Sequence, residues 1–241
     1  MTRLRIGGKL VTVALALSVL ATQAAQALRA ANALAESDAP PEISEACPPN
    51  LWAEGLHDYR NRDASDWDRW KYKDMWGAHV GRALIRMDAG EYSRRVRSDL
   101  HYALARWPNH IPAMQALVKY DLAGGQRYEF PKTQCYFVSA RAFAPDDVAV
   151  RLAEGYFHWK MGDLSRAKSV YEEALRLDSA SADAHYNLGL VLFELKDYSG
   201  ARDHAHAAYA AGFPLPGLMT KLKQVGFWDA LPADRRSGDP P

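Results

Sequence analysis

The chain has 241 residues, of which 48% are hydrophobic and 24% are charged, a composition typical of a folded globular protein. Its 30 basic and 29 acidic residues nearly cancel, and this balance argues against both a nucleic-acid-binding surface and an acidic tail. The length is enough for one sizeable core or for one short array of repeats.

Residues 1–27 have the three-part organisation of a secretory signal peptide. Three basic residues between positions 3 and 9 precede an apolar run at 10–21, and small residues flank Gln26 in the manner of a cleavage site. The apolar run is too short to span a membrane, and no second long apolar run follows it. We therefore expect cleavage after Ala27, export to the periplasm or beyond, and no membrane insertion after cleavage. An uncleaved anchor is the alternative.

Residues 28–76 precede the regular part of the chain. Residues 28–50 contain four prolines, which block a long helix, and we expect a flexible lead-in there. Residues 51–76 contain Trp67, Trp70 and Trp76, and this segment predicts a capping helix with its tryptophans buried on the helices that follow. An aromatic patch that contacts a partner or a haem is the alternative interpretation.

Two cysteines, Cys47 and Cys135, bear on the compartment of the protein. An exported chain meets oxidising conditions, in which an even number of cysteines permits one disulfide. Two reduced, buried thiols are the alternative, and the sequence leaves both open.

From residue 77 onwards the chain repeats itself. Apolar residues recur at three- and four-residue spacing, which predicts helices, and strand-like alternation is absent. Segments 148–181 and 182–215 align at a spacing of 34, and segments 114–147 and 77–113 follow the scheme less closely, with Asp121 in place of a glycine. The small residues matched at this spacing are Gly155 with Gly189, Ala167 with Ala201, and Ala174 with Ala208.

This pattern resembles the tetratricopeptide repeat, a helix–turn–helix unit of 34 residues. The resemblance implies an all-α fold: an α-solenoid of antiparallel helix pairs that forms a short right-handed superhelix over residues 77–215. We expect a C-terminal capping helix at 216–229, because a repeat array must cover its last apolar surface, and a frayed tail at 230–241. The stretches CYFVSARAFAPDD and GFPLPGL also resemble small exported proteobacterial proteins with these repeats, which strengthens the fold rather than the function.

The resemblance places the first helix of each repeat along an inner groove. Its exposed positions correspond to Ala149, Leu152, Tyr156, Trp159 and Lys160 in one repeat, and to Asp183, Tyr186, Leu190, Phe193 and Glu194 in the next. Aromatic side chains give a peptide-binding surface a large contact area at low entropic cost. The basic clamp that some members of the family use for a carboxylate does not map here, although Asn187 matches one of its positions. The expected groove residues are therefore Leu152, Tyr156, Trp159, Lys160, Tyr186, Asn187, Leu190 and Phe193, unless these rings pack between repeats.

His204 and His206 form the one histidine pair that invites a catalytic or metal-binding interpretation. Residues two apart on a helix point in opposite directions, whereas helical ligand pairs sit three or four apart. The remaining histidines match no zinc-binding spacing, and neither a phosphate-binding loop nor a nucleophile elbow is present. We expect no metal, no cofactor and no catalytic residue.

These observations favour an exported, non-enzymatic adaptor or scaffold that holds a peptide or a protein segment in its groove. A periplasmic assembly chaperone for an exported client, such as a cytochrome or polysaccharide-secretion machinery, is the first alternative. A metal-dependent enzyme is a weaker one. The partner is expected to be a protein, with no role for nucleic acid.

Overall fold

A computed structural model describes residue 47 and residues 56–61, 76–125 and 130–228. Contacts divide the chain into two units, residues 1–44 and 45–241, and every described residue belongs to the second. The expected signal peptide, the lead-in apart from Cys47, the segment with Trp67 and Trp70, and the frayed tail lie outside the described residues.

The described part of the chain is helical and contains no strand. Within the described residues, a short 3-10 turn at Tyr59–Asn61 and a π-helical turn at Trp76–Val80 precede nine α-helices. The helices are α1 (Gly81–Asp88), α2 (Arg94–Arg106), α3 (Ile111–Leu122), α4 (Thr133–Phe143), α5 (Val148–Lys160), α6 (Leu164–Leu177), α7 (Ala182–Glu194), α8 (Tyr198–Ala210) and α9 (Gly217–Gln224). The longest has 14 residues, and none of them has the length and apolar character of a membrane-crossing helix.

The helices stack as an α-solenoid. Each odd-numbered helix from α1 to α7 packs against the even-numbered helix that follows it, and the odd-numbered helices also pack against one another in succession. The terminal helix α9 contacts both α7 and α8, where it covers the end of the array with the buried side chains of Leu218 and Leu222. This arrangement confirms the expected all-α solenoid.

Small residues set the distance between paired helices. Gly155 lies against the ring of Tyr171, and an added Cβ would be 2.6 Å from the nearest ring atom. At the same repeat position, an added Cβ on Gly189 would be 2.5 Å from Leu218 and 3.2 Å from the carbonyl oxygen of Ala201. The alanines at the other repeat positions are fully buried: Ala167, Ala174, Ala201 and Ala208. A larger side chain at any of these positions would push the helices apart.

The second repeat replaces this close contact with a buried polar one. Asp121 stands where the later repeats have glycine, and Thr133 stands where they have Ala167 and Ala201. The Thr133 hydroxyl donates to the Asp121 carboxylate, and Arg97 from α2 reaches Asp121 at 3.5 Å and the carbonyl oxygen of Pro131 at 2.7 Å. A carboxylate is therefore tolerated at this buried position because a charged partner and a hydroxyl satisfy it.

Cys47 and Cys135 form a disulfide, with the sulfur atoms 2.06 Å apart. Cys135 is fully buried on α4, so the bond ties the start of the second unit to the second repeat. Of the two alternatives that the sequence leaves open, the structure favours the disulfide.

Residues 57–60 dock beside the loops that precede α3 and α5. The buried amide of Asn109 accepts from the backbone N–H of Tyr59 at 2.9 Å and donates to Asp58 at 2.8 Å and to Asp147 at 2.9 Å. Hydrogen bonds from Arg60, and then from Asn109, hold the pKa of Asp58 at about 2. A carboxylate with a lowered pKa stabilises the fold above its ordinary pKa of 3.8, and this contribution is lost as the pH falls toward 2.

We expect Asn109→Ala to lower the free energy of unfolding by about 2–3 kcal/mol, because it leaves two carboxylates and one backbone N–H without their shared partner. Urea unfolding followed by circular dichroism measures this change. Asn61→Ala is the matched control, since Asn61 is exposed and its side chain makes no hydrogen bond within the described residues. Equal stability of the two variants would contradict the role of Asn109.

Candidate functional site

A groove of about 630 Å³ runs across the first helices of three consecutive pairs. Helix α3 contributes Ile111, Gln115, Lys119 and Leu122. Helix α5 contributes Ala149, Leu152, Ala153 and Tyr156. Helix α7 contributes Asp183 and Asn187. A concave, mostly apolar surface with a few polar groups is the usual form of a ligand site.

The 34-residue period organises the groove into rows. Gln115, Ala149 and Asp183 form one row, and the next row lies four residues later, at Lys119, Ala153 and Asn187. In both rows the central helix contributes an alanine, whereas the flanking helices contribute longer polar side chains. The floor is therefore low, and the walls carry amide and charged groups that can hydrogen-bond a backbone lying between them.

A third row, three residues after the second, forms the apolar contact surface of the groove. Leu122 and Tyr156 occupy the same repeat position and are 46% and 37% exposed, so two large apolar side chains line the same groove. An apolar side chain of a bound segment could pack against these two residues.

The two walls carry opposite charges. Lys119 donates to the carboxylate of Asp88 on α1 at 2.7 Å, and this hydrogen bond raises the pKa of Lys119. Asp183, on the opposite wall, is exposed. The groove therefore has no single sign of charge, in agreement with the near-neutral composition.

Three of the eight expected groove residues line the groove: Leu152, Tyr156 and Asn187. Trp159 and Lys160 lie beyond it, at the end of α5. The Lys160 ammonium is 4.3 Å from the centre of the Trp159 ring and 5.4 Å from that of Tyr156, and the two rings meet edge to face. These two residues extend the aromatic end of the groove.

The remaining three expected residues lie outside the groove. Tyr186 is only 8% exposed and stacks on Phe213 with 3.9 Å between ring centres. Leu190 and Phe193 are half-buried against the C-terminal core, where Lys221 of α9 lies over the Phe193 ring. Positions that stay open within an array are covered here because α7 belongs to the last complete pair.

The sequence-based expectation missed the α3 wall. Ile111, Gln115, Lys119 and Leu122 were not among the expected residues, although the last three lie 34 residues before Ala149, Ala153 and Tyr156. Subtracting one repeat from Ala149 and Tyr156 gives Gln115 and Leu122, and subtracting two repeats from Asn187 gives Lys119, whereas no expected position gives Ile111.

His204 and His206 point in different directions, as the helical geometry predicts. His206 stacks on Trp228 with ring centres 4.3 Å apart, whereas His204 meets His185 of α7. Within the described ranges, no group of three or more His, Cys, Asp or Glu residues is arranged to hold a metal ion.

Comparison with known proteins identifies the repeat. Residues 152–214, which span α5 to α8, match the family model described as tetratricopeptide repeat. The chain contains tetratricopeptide repeats. It is also similar to a protein of Arabidopsis thaliana named "Protein CTR9 homolog", with 25% identity over 123 residues. Those residues are 51% of this chain and only 11% of that relative.

Tetratricopeptide repeats build extended surfaces that bind protein partners, and they act as scaffolds rather than as catalysts. The groove across α3, α5 and α7 is the described surface of this chain that fits such a role. The expectation that the chain is not an enzyme stays a prediction.

Proposed function

We propose that the chain is an exported, non-enzymatic adaptor whose groove holds an extended segment of a protein partner. The observation that carries this proposal is the arrangement of groove residues in rows at the repeat spacing. The amides of Gln115 and Asn187 stand on opposite walls above an alanine floor. These amides can hydrogen-bond the backbone of an extended segment, and Leu122 and Tyr156 can contact an apolar side chain of that segment.

Export is part of the proposal and is supported by the signal-peptide pattern and by the disulfide. The intact mass of protein recovered from the cell envelope tests it. Cleavage after Ala27 would give a chain that begins at Leu28, and recovery of the full-length chain in the cytoplasm would contradict export.

We expect a photo-crosslinking amino acid at position 122 or 156 to capture the same partner in intact cells of the source organism. The matched control positions are 102 and 177, where Tyr102 and Leu177 are each 44% exposed on second helices of their pairs, α2 and α6. Mass spectrometry of the crosslinked product identifies the partner segment. Capture of the same product at the control positions, or at none of the four, would contradict groove binding.

A substitution series measures the contribution of the groove once the partner segment is known. Leu122→Ala combined with Tyr156→Ala should weaken binding at least about tenfold, because it removes the apolar contact surface. Tyr102→Ala with Leu177→Ala removes the same side-chain types elsewhere and should leave binding unchanged. Both double variants should retain helical circular dichroism, since all four side chains are partly exposed. A partner held only while unfolded would support the chaperone alternative over the adaptor.

A further inference from the structure

Two histidines meet between α7 and α8, on a part of the molecule that the groove does not use. The Nδ1 atoms of His185 and His204 are 2.9 Å apart, and their ring centres are 5.1 Å apart. Gly189 lies one turn after His185 and presents no side chain, so α8 approaches closely enough for the Cβ of His204 to lie 3.6 Å from an ideal Cβ at position 189. The small residue of the repeat therefore brings the two imidazoles together.

The hydrogen bonds of His185 determine which of its nitrogens carries a lone pair. Its Nε2 lies 3.1 Å from the carbonyl oxygen of Ser179, which can only accept, so Nε2 donates and Nδ1 is unprotonated in the neutral ring. A backbone carbonyl on the far nitrogen is the partner that commonly orients a metal-ligating histidine. His185 is thus fixed by the chain with its Nδ1 lone pair directed toward His204, whose Nδ1–H donates to it in the ion-free pair.

Negative charge lies close to His204. The carboxylates of Asp203 and Asp197 are close enough to act on His204 electrostatically. Asp203 is paired with Arg202 and Asp197 caps α8 at Gly200, so both remain near the pair without blocking it. Nearby negative charge favours the binding of a cation at the pair.

The separation of the two nitrogens is compatible with both of them binding one ion. Two nitrogens about 2.0 Å from one metal ion are about 2.8 Å apart at a right angle and about 3.3 Å apart at a tetrahedral angle. The 2.9 Å between the ion-free nitrogens is the length of a hydrogen bond and lies between these two separations, so a small shift would let both nitrogens reach one ion. Cu²⁺ binds more tightly than Ni²⁺ at a given nitrogen site.

We propose that His185 and His204 form a two-histidine site for a late first-row divalent cation, with Cu²⁺ bound most tightly. Both Nδ1 atoms ligate the ion, His204 moves its proton to Nε2, and solvent fills the other positions, since the described residues hold no cluster of three candidate ligands here. The sequence pattern suggested a ligand pair only for His204 with His206. The pair forms instead with a residue from the facing helix, 19 positions earlier in the chain.

Titration of the full, untagged chain with Cu²⁺ tests the site by calorimetry. We expect one ion per chain in the wild type, and at least about tenfold weaker binding in His185→Gln and in His204→Gln, because each removes one arm of the chelate. His206→Gln is the matched control, since it removes a histidine from the same helix outside the pair and should bind as the wild type does. Equal binding by all four proteins, or no binding by the wild type, would overturn the proposal.

Electron paramagnetic resonance of the wild-type Cu²⁺ complex gives a second measurement that does not depend on whether the variants fold. Two imidazole nitrogens coupled to the copper would support the site. One nitrogen or none would overturn it.

Discussion

Removal of the Cys47–Cys135 disulfide is expected to lower the free energy of unfolding by about 4–5 kcal/mol in the chain-entropy model. The two cysteines are 88 residues apart, so the bond closes a long loop and removes much of the freedom of the unfolded chain. Urea unfolding of the Cys47→Ala/Cys135→Ala double variant, compared with the oxidised wild type, measures the effect. The double variant avoids a single remaining thiol, which would complicate the comparison.

Two controls separate the bond from the side chains that form it. A reductant should bring the wild type to the stability of the double variant and should leave the double variant unchanged. Alkylation of the denatured, unreduced wild type should add no mass. Addition of two labels without reductant would show free thiols and would contradict the disulfide.

Truncation of Tyr171 is expected to cost about 3–5 kcal/mol, because it opens a large cavity in the core of the third repeat. The side chain is fully buried, and its ring fills the space that the absent side chain of Gly155 leaves between α5 and α6. Tyr171→Ala removes the ring, and urea unfolding measures the loss.

Tyr171→Phe is the matched control, since it removes only the hydroxyl. That hydroxyl is buried, makes no hydrogen bond with the described residues, and has its pKa raised by burial. Its removal should therefore change stability by less than about 1 kcal/mol, or increase stability slightly. A phenylalanine variant as unstable as the alanine variant would show that the hydroxyl, rather than the ring, supports the repeat.

The groove shows that the position of a residue within the repeat does not by itself predict whether its side chain is exposed. Leu152 and Tyr186 occupy the same repeat position, and both were expected in the groove. Leu152 lines the groove, whereas Tyr186 is covered by Phe213 from the turn before α9. Position within the repeat fixes the direction of a side chain relative to its own helix pair. Its exposure depends on the element that packs against that pair, and this differs at the end of an array.

The sequence by itself determined the repeat period and the pairing of the helices. These features rest on small residues that recur at the repeat spacing, such as Gly155 and Gly189 at the close contacts of α5 and α7. Contacts between residues of one repeat recur whenever the repeat recurs, so a single sequence reveals them.

Only the tertiary structure decided which surfaces stay open and which distant side chains meet. The α3 wall of the groove, the burial of Tyr186 and the contact between His185 and His204 all depend on side chains from different helices. Such contacts depend on how closely the helices approach each other. The small residues permit a close approach, but they do not specify which side chains then become neighbours. The sequence around His204 therefore predicted a helix, whereas only the packing of α7 against α8 showed that His185 faces His204.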